Sequence, residues 1–381
     1  MVRNPGWLGV AQPKQIEVRM SEVQLKGSVI VLMLYDVCEE IRLEELRRIL
    51  GAQPAERSPS FKHPAPEYVR FERPPVVEPL ERITLETGEQ LEARLKYYDY
   101  GVVCVEFELP FEGGWDMLVD LSCRYIAAPE VERHALQIAR EESKRAAPAL
   151  IKSYDNWLVE DYYIFRVGEV TGGATAADLC RVYGDQIAEI VRGERVPLGE
   201  EERHDILQSS MSYYSSDLAV VGWNAAFLYD TPAGAETTIQ LLEYANSQLL
   251  EFRHYDEVLT RELRWVYKSL EGGTGFLARW RLARASARLH TLLLDVTELT
   301  ERADNSIKFL SDMFSARLYR LAAKKVGVPD YKKLVRQKVD TAEDLYKFMV
   351  EQFHQGRAFV LELMVVIILI IDLIFLFRGK A

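Results

Sequence analysis

GSVIVLMLYDVC, residues Gly27–Cys38, is an apolar run closed by the acidic pair Glu39-Glu40. It is too compact for a helix of ordinary length and reads as a buried strand, which sets an α/β body at the start of the chain. Immediately downstream, IRLEELRRIL (Ile41–Leu50) places Ile41, Leu46, Ile49 and Leu50 on one side of a short amphipathic helix that Gly51 ends. Seven prolines between Ala52 and Pro79 exclude helix and central strand there, so this stretch reads as a loop. Gln90–Tyr98 and Val102–Leu109 flank Asp99-Tyr100-Gly101, the pattern of a β-hairpin.

Gly113-Gly114 open a helical stretch from Trp115 to Ile151, interrupted at Pro129 and Pro148. A strand at Asp161–Val170, a helix at Ala174–Val191 and a strand-like run at Ser216–Tyr229 come next, the last ended by Asp230-Thr231-Pro232. This order of elements matches a split βαβ, ferredoxin-like arrangement over residues 27–232, preceded by an arm of residues 1–26 and interrupted by the Pro-rich loop 52–79.

Beyond Pro232 the period changes. Leu242, Ala245, Leu249, Phe252, Asp256, Leu259, Leu263, Val266 and Leu270 alternate steps of three and four. A second series runs from Leu282 to Met313, and Gly272-Gly273-Thr274-Gly275 lies between the two. Such heptads predict a long antiparallel coiled-coil hairpin, and a third helix from Asp330 onward completes a stalk over residues 233–357. The final element is AFVLELMVVIILIIDLIFLF, Ala358–Phe377, in which only Glu362 and Asp372 are polar. At ~1.5 Å per residue the run is roughly 30 Å long, so a C-terminal transmembrane helix is expected, making the chain α+β with a stalk and a tail anchor.

Composition narrows the functions. Lysine and arginine number 47 against 58 acidic residues, a formal net charge of −11, which disfavours direct nucleic-acid binding. Cys38, Cys104, Cys123 and Cys180 are widely spread and read as free thiols in a reducing compartment. The first twenty residues contain no apolar run of signal-peptide length, so the body is expected on the cytoplasmic side of a cell membrane.

Candidate chemistry is sparse. Glu201–His204, Glu251–His254 and Glu351–His354 each have the Glu-x-x-His spacing used in di-iron bundles. With Leu249 and Asp256 as a positions, however, Glu251 and His254 fall at c and f and face outward, so no metal and no cofactor is expected. Asp256 itself sits in the seam, where a polar residue fixes register or pairing. Glu362 and Asp372, ten residues and about 80° apart on a helix, are intramembrane acids in this reading, lining an oligomer interface or a cation pathway. The glycine-rich turn lacks the Lys-Ser/Thr of a phosphate loop, and no G-x-S-x-G or Cys–His arrangement is present.

The tail, with Leu361-Glu362, the apolar Met364–Ile371, Asp372 and Leu373–Phe377, resembles that of the Required for Meiotic Nuclear Division proteins. SDLAVVGWNAAFLYDTP (Ser216–Pro232) and Tyr98-Asp99-Tyr100-Gly101-Val102-Val103 are similar to segments of the same family. The resemblance implies a membrane-anchored α/β domain on a coiled-coil stalk, without established catalysis, whose mitochondrial members sit at the inner membrane. Glu17 and Glu22 depart from an acid-poor presequence, so a bacterial cytoplasmic membrane is the expected setting, with the mitochondrial inner membrane as the alternative.

Together these features lead to the expectation of a non-enzymatic, single-pass, self-associating scaffold, a homo-oligomer through coiled coil and anchor. A multimeric ion pathway lined by Glu362 and Asp372 is the first alternative, and an enzyme with its site in the α/β domain is the second.

Overall fold

A computed structural model describes residues 23–51, 74–270 and 313–378, together with scattered helical residues between 284 and 297. The elements are β1 (Leu25–Ile41), α1 (Leu43–Leu50), β2 (Val76–Thr84), β3 (Gln90–Tyr97), β4 (Val102–Gly113), α2 (Trp115–Tyr125) and α3 (Pro129–Arg145). After these come β5 (Leu150–Val170), α4 (Ala176–Val182), α5 (Gly184–Arg192), α6 (Glu200–Gln208), β6 (Ser210–Met211), β7 (Leu218–Val221) and β8 (Ala225–Tyr229). The long helices are α7 (Pro232–Leu270), α8 (Met313–Val326) and α9 (Val328–Arg378).

All the described strands join one eight-stranded sheet in the order β2-β3-β4-β1-β5-β8-β7-β6. Among them only the β5–β8 pairing is parallel; the rest are antiparallel. This corrects the ferredoxin-like expectation, and two elements account for the difference. β5 is 21 residues long, not ten, because its polar first half (Lys152, Ser153, Asp155, Asn156) is only partly covered and hides the strand period. It pairs with the end of β1 through Cys38–Ser153 and Ile41–Leu150. Ser216–Tyr229 is two strands, not one: the chain reverses at Gly222–Asn224, and β7 pairs antiparallel with β8. β2 begins at Val76, inside the expected Pro-rich loop, and Pro79 is tolerated because β2 is an edge strand.

β1 is continuously apolar because the sheet is covered on both faces. Val29, Val31, Met33, Tyr35 and Val37 enter a core with α1–α6, while Ile30, Leu32 and Leu34 enter a second core with α7, α8 and α9. β5 divides the same way, Tyr163, Phe165 and Val167 to one side, Tyr162 and Ile164 to the other. At ~1.5–3 kcal/mol per fully buried large apolar side chain, this central pair of strands anchors the body. Gly101 has φ +93°, and a Cβ there would lie 1.8 Å from the Cys38 carbonyl oxygen. Only glycine therefore lets the β3–β4 turn lie on β1.

The heptad series is redirected by this packing. Leu242, Ala245, Leu249, Phe252 and Leu259 cover the sheet instead of meeting only a partner helix. Further along, Leu263 and Val266 pack with Leu289 and Leu293 and with Ala342 and Met349 of α9. The glycine-rich turn, Gly272–Gly275, lies outside the described residues.

Among the described residues no helix is long and apolar enough to cross a membrane. This corrects the expected transmembrane anchor at 358–377, and with it the membrane partner, the single-pass cell-membrane location and the mitochondrial inner-membrane alternative. The apolar side chains described in that run are Met364–Ile371 with Leu373 and Ile374; those of 358–363, 372 and 375–377 lie outside the described residues. The part of α9 before it carries Lys332, Lys333, Arg336, Lys338, Asp340, Glu343, Asp344 and Lys347.

Candidate functional site

Residues 241–252 of α7 are buried without a break, because the sheet lies on one side of the helix and α8 and α9 on others. That sandwiching forces polar side chains of α7 into the interior. It also corrects the outward placement of Glu251 and His254: both face β1 and β5, since the sheet covers the side of α7 on which these c and f positions lie. Asp36 of β1, 2% exposed, lies with its Oδ2 2.6 Å from His254 Nδ1. The imidazole stacks on Tyr154 of β5 at 4.6 Å between ring centroids and meets Tyr255 edge-on at 5.6 Å. The Tyr255 hydroxyl donates to Glu251 Oε2 at 2.7 Å, and the buried Glu251 Oε1 has no hydrogen-bond partner among the described residues.

Burial pushes the Glu251 carboxyl well above the usual carboxylate range; the neighbouring Asp36 charge adds to this and the Tyr255 hydrogen bond opposes it. Burial also raises Asp36, against the hydrogen bond and charge of His254. Arg253, on the same turn, pairs with Glu160 of β5 and donates to the Val159 carbonyl at 3.2 Å.

A second polar group lies between the sheet and the start of α7. Lys96 Nζ is 2.6 Å from both Glu106 Oε2 and Glu243 Oε2. Arg94 bridges Glu106 and Glu108 at 2.9 Å each, and Arg166 reaches Glu108 at 2.9 Å. Burial opposes the Lys96 charge, but Glu106 and Glu243 outweigh it and hold the ammonium above its ordinary value. Glu106 is held low by Lys96 and Arg94 in spite of its burial. The three cations and three carboxylates are matched, which is the arrangement of a structural tie rather than of a reacting centre.

Asp256 lies in the α7–α9 seam. Lys338 Nζ of α9 is 2.5 Å from Asp256 Oδ1 and 2.5 Å from Thr260 Oγ1. The side chains of Glu362 and Asp372 lie outside the described residues, as does that of His354. Among the described residues no group of three or more His, Cys, Asp and Glu side chains is placed to hold a metal ion. Burial pushes the Cys38 thiol up to about 12 and Cys104 also well above its ordinary value, so neither is a thiolate nucleophile at neutral pH. A cleft of about 880 Å³ beside α1 is lined by Arg42, Arg47 and Arg48 together with Glu40, Glu44, Glu45 and Asp99, a mixed set in which neither sign of charge dominates.

A profile described as "Uncharacterized protein MJ0711, N-terminal domain" matches residues 26–236. "Uncharacterized protein MJ0711" of Methanocaldococcus jannaschii is 19% identical over 188 residues, 49% of this chain. The chain spans 58% of that relative's length. No solved structure matches. The match corrects the resemblance to the Required for Meiotic Nuclear Division proteins. The segments behind that resemblance are short apolar runs ending in turn residues, a pattern any buried strand or apolar helix can show.

Proposed function

The chain belongs to the MJ0711 N-terminal domain family, and on that premise we propose that it is a non-enzymatic, self-associating scaffold in which helices outside the family-matched body gather copies of the chain. The observation that supports this reading most is the distal part of α9. Met364–Ile371, Leu373 and Ile374 are 45–61% exposed on every side of the helix, and no element among the described residues covers them. A helix apolar all round is stable in water only when something covers it, and each buried Ile or Leu contributes about 1.5–3 kcal/mol. Neighbouring copies of the same helix, side by side, would cover every face at once. Within one chain, the Asp256–Lys338 pair sets the register of α9 against α7, so that copies present the same length of apolar helix.

The test is assembly of the full chain. Ile367→Cys in a Cys123→Ser background should cross-link between copies under oxidation, and mass photometry should show multimers. Val366→Lys with Ile370→Lys should release monomers while circular dichroism keeps the body's signal. A wild-type chain that stays monomeric, or whose apolar run is taken up by phosphatidylcholine vesicles as a monomer, overturns the reading.

A further inference from the structure

We propose that Asp36, Glu251 and His254 form a proton-operated latch that fastens α7, and through it the helical stalk, to the sheet. Asp36 comes from the middle of β1, Tyr154 from β5, and Glu251, His254 and Tyr255 from one turn of α7, so the cluster spans the joint between sheet and helix. One residue further on, Asp256 takes Lys338 of α9. A single turn of α7 thus holds the sheet on one side and the stalk on the other.

The groups facing Glu251 are nearly all acidic or neutral. β1 supplies Asp36 and the Cys38 thiol, the β3–β4 turn supplies Asp99 and Tyr100, β5 supplies Tyr154, and α7 supplies Tyr255. The nearby cations are engaged elsewhere, Arg253 by Glu160 and Lys338 by Asp256. With Glu251 protonated, its carboxyl adds no charge beside Asp36, which stays paired with His254, and α7 stays down. Removing the Glu251 proton places a second negative charge beside Asp36, in a position where Tyr255 is its one hydrogen-bond donor among the described residues. Buried like charges repel strongly, and lifting this turn of α7 from the sheet relieves them.

A carboxyl that keeps its proton in the fold but loses it when unfolded makes stability fall as pH rises above the ordinary carboxylate range. In the full chain, the melting temperature should therefore fall as pH rises above about 5. Glu251→Gln keeps the shape and the Tyr255 hydrogen bond but cannot ionise. It should lower the proton count linking folding to pH by about one and melt above wild type at the alkaline end. Hydrogen exchange over residues 244–256, corrected for the intrinsic rate, should rise with pH in wild type and not in Glu251→Gln. Infrared difference spectra at neutral pH should show a protonated-carboxyl band that this variant loses. Parallel pH profiles for the two proteins, or no such band, would overturn the latch. Neither result depends on whether copies assemble.

Discussion

Lys96 illustrates how much one side chain can decide. It is the single ammonium between Glu106 of the neighbouring strand and Glu243 of α7, 147 residues further along the chain. Lys96→Met leaves two carboxylates buried without it. Removing one partner of such a buried set costs about 3–5 kcal/mol, so the urea midpoint should fall sharply while the double variant Lys96→Met, Glu243→Leu recovers part of the loss. Gly101 works by absence. Gly101→Ala should destabilise by well over ~1 kcal/mol, read from the same urea curves, because its Cβ meets the Cys38 carbonyl and its φ is left-handed. Gly101 is legible from its place in a hairpin turn. The Lys96 tie is not, because pairing across 147 residues leaves no local pattern, and neither is the Asp36–His254 contact.

At the scale of elements, the hairpin β3–β4 and the strand β1 come directly from periodicity, because β1 is buried on both faces and the hairpin turn carries its own residue signature. β5 hides in its polar half, and β7 and β8 read as one strand because Gly222 and Asn224, with Trp223 between them, only briefly interrupt an apolar run. α7 is the most instructive case. Its three-four spacing is real, but a sheet accepts that stripe as readily as a partner helix does, so the same residues predict a coiled coil. The assignment of Glu251 and His254 to outward positions fails with it. The α7–α9 seam gives an element-scale prediction: Lys338→Ala removes a partly exposed pair and should cost no more than ~1 kcal/mol of thermal stability. If the pair fixes register, cysteine cross-linking between α7 and α9 should then report several alignments instead of one.

For the molecule as a whole, the family-matched stretch ends at residue 236, only a few residues into α7. Yet Ile30, Leu32, Leu34, Tyr162, Ile164 and Leu228 are buried by the helices beyond that point, α7, α8 and α9. A chain cut at 236 should therefore precipitate or bind the dye ANS strongly, whereas the full chain should do neither through this face. The body is in this sense a half-closed book, and those helices are its other cover. Any protein built on the same pages has to bind them with something of its own, so relatives can differ in everything after the sheet provided that what they add is greasy on one side.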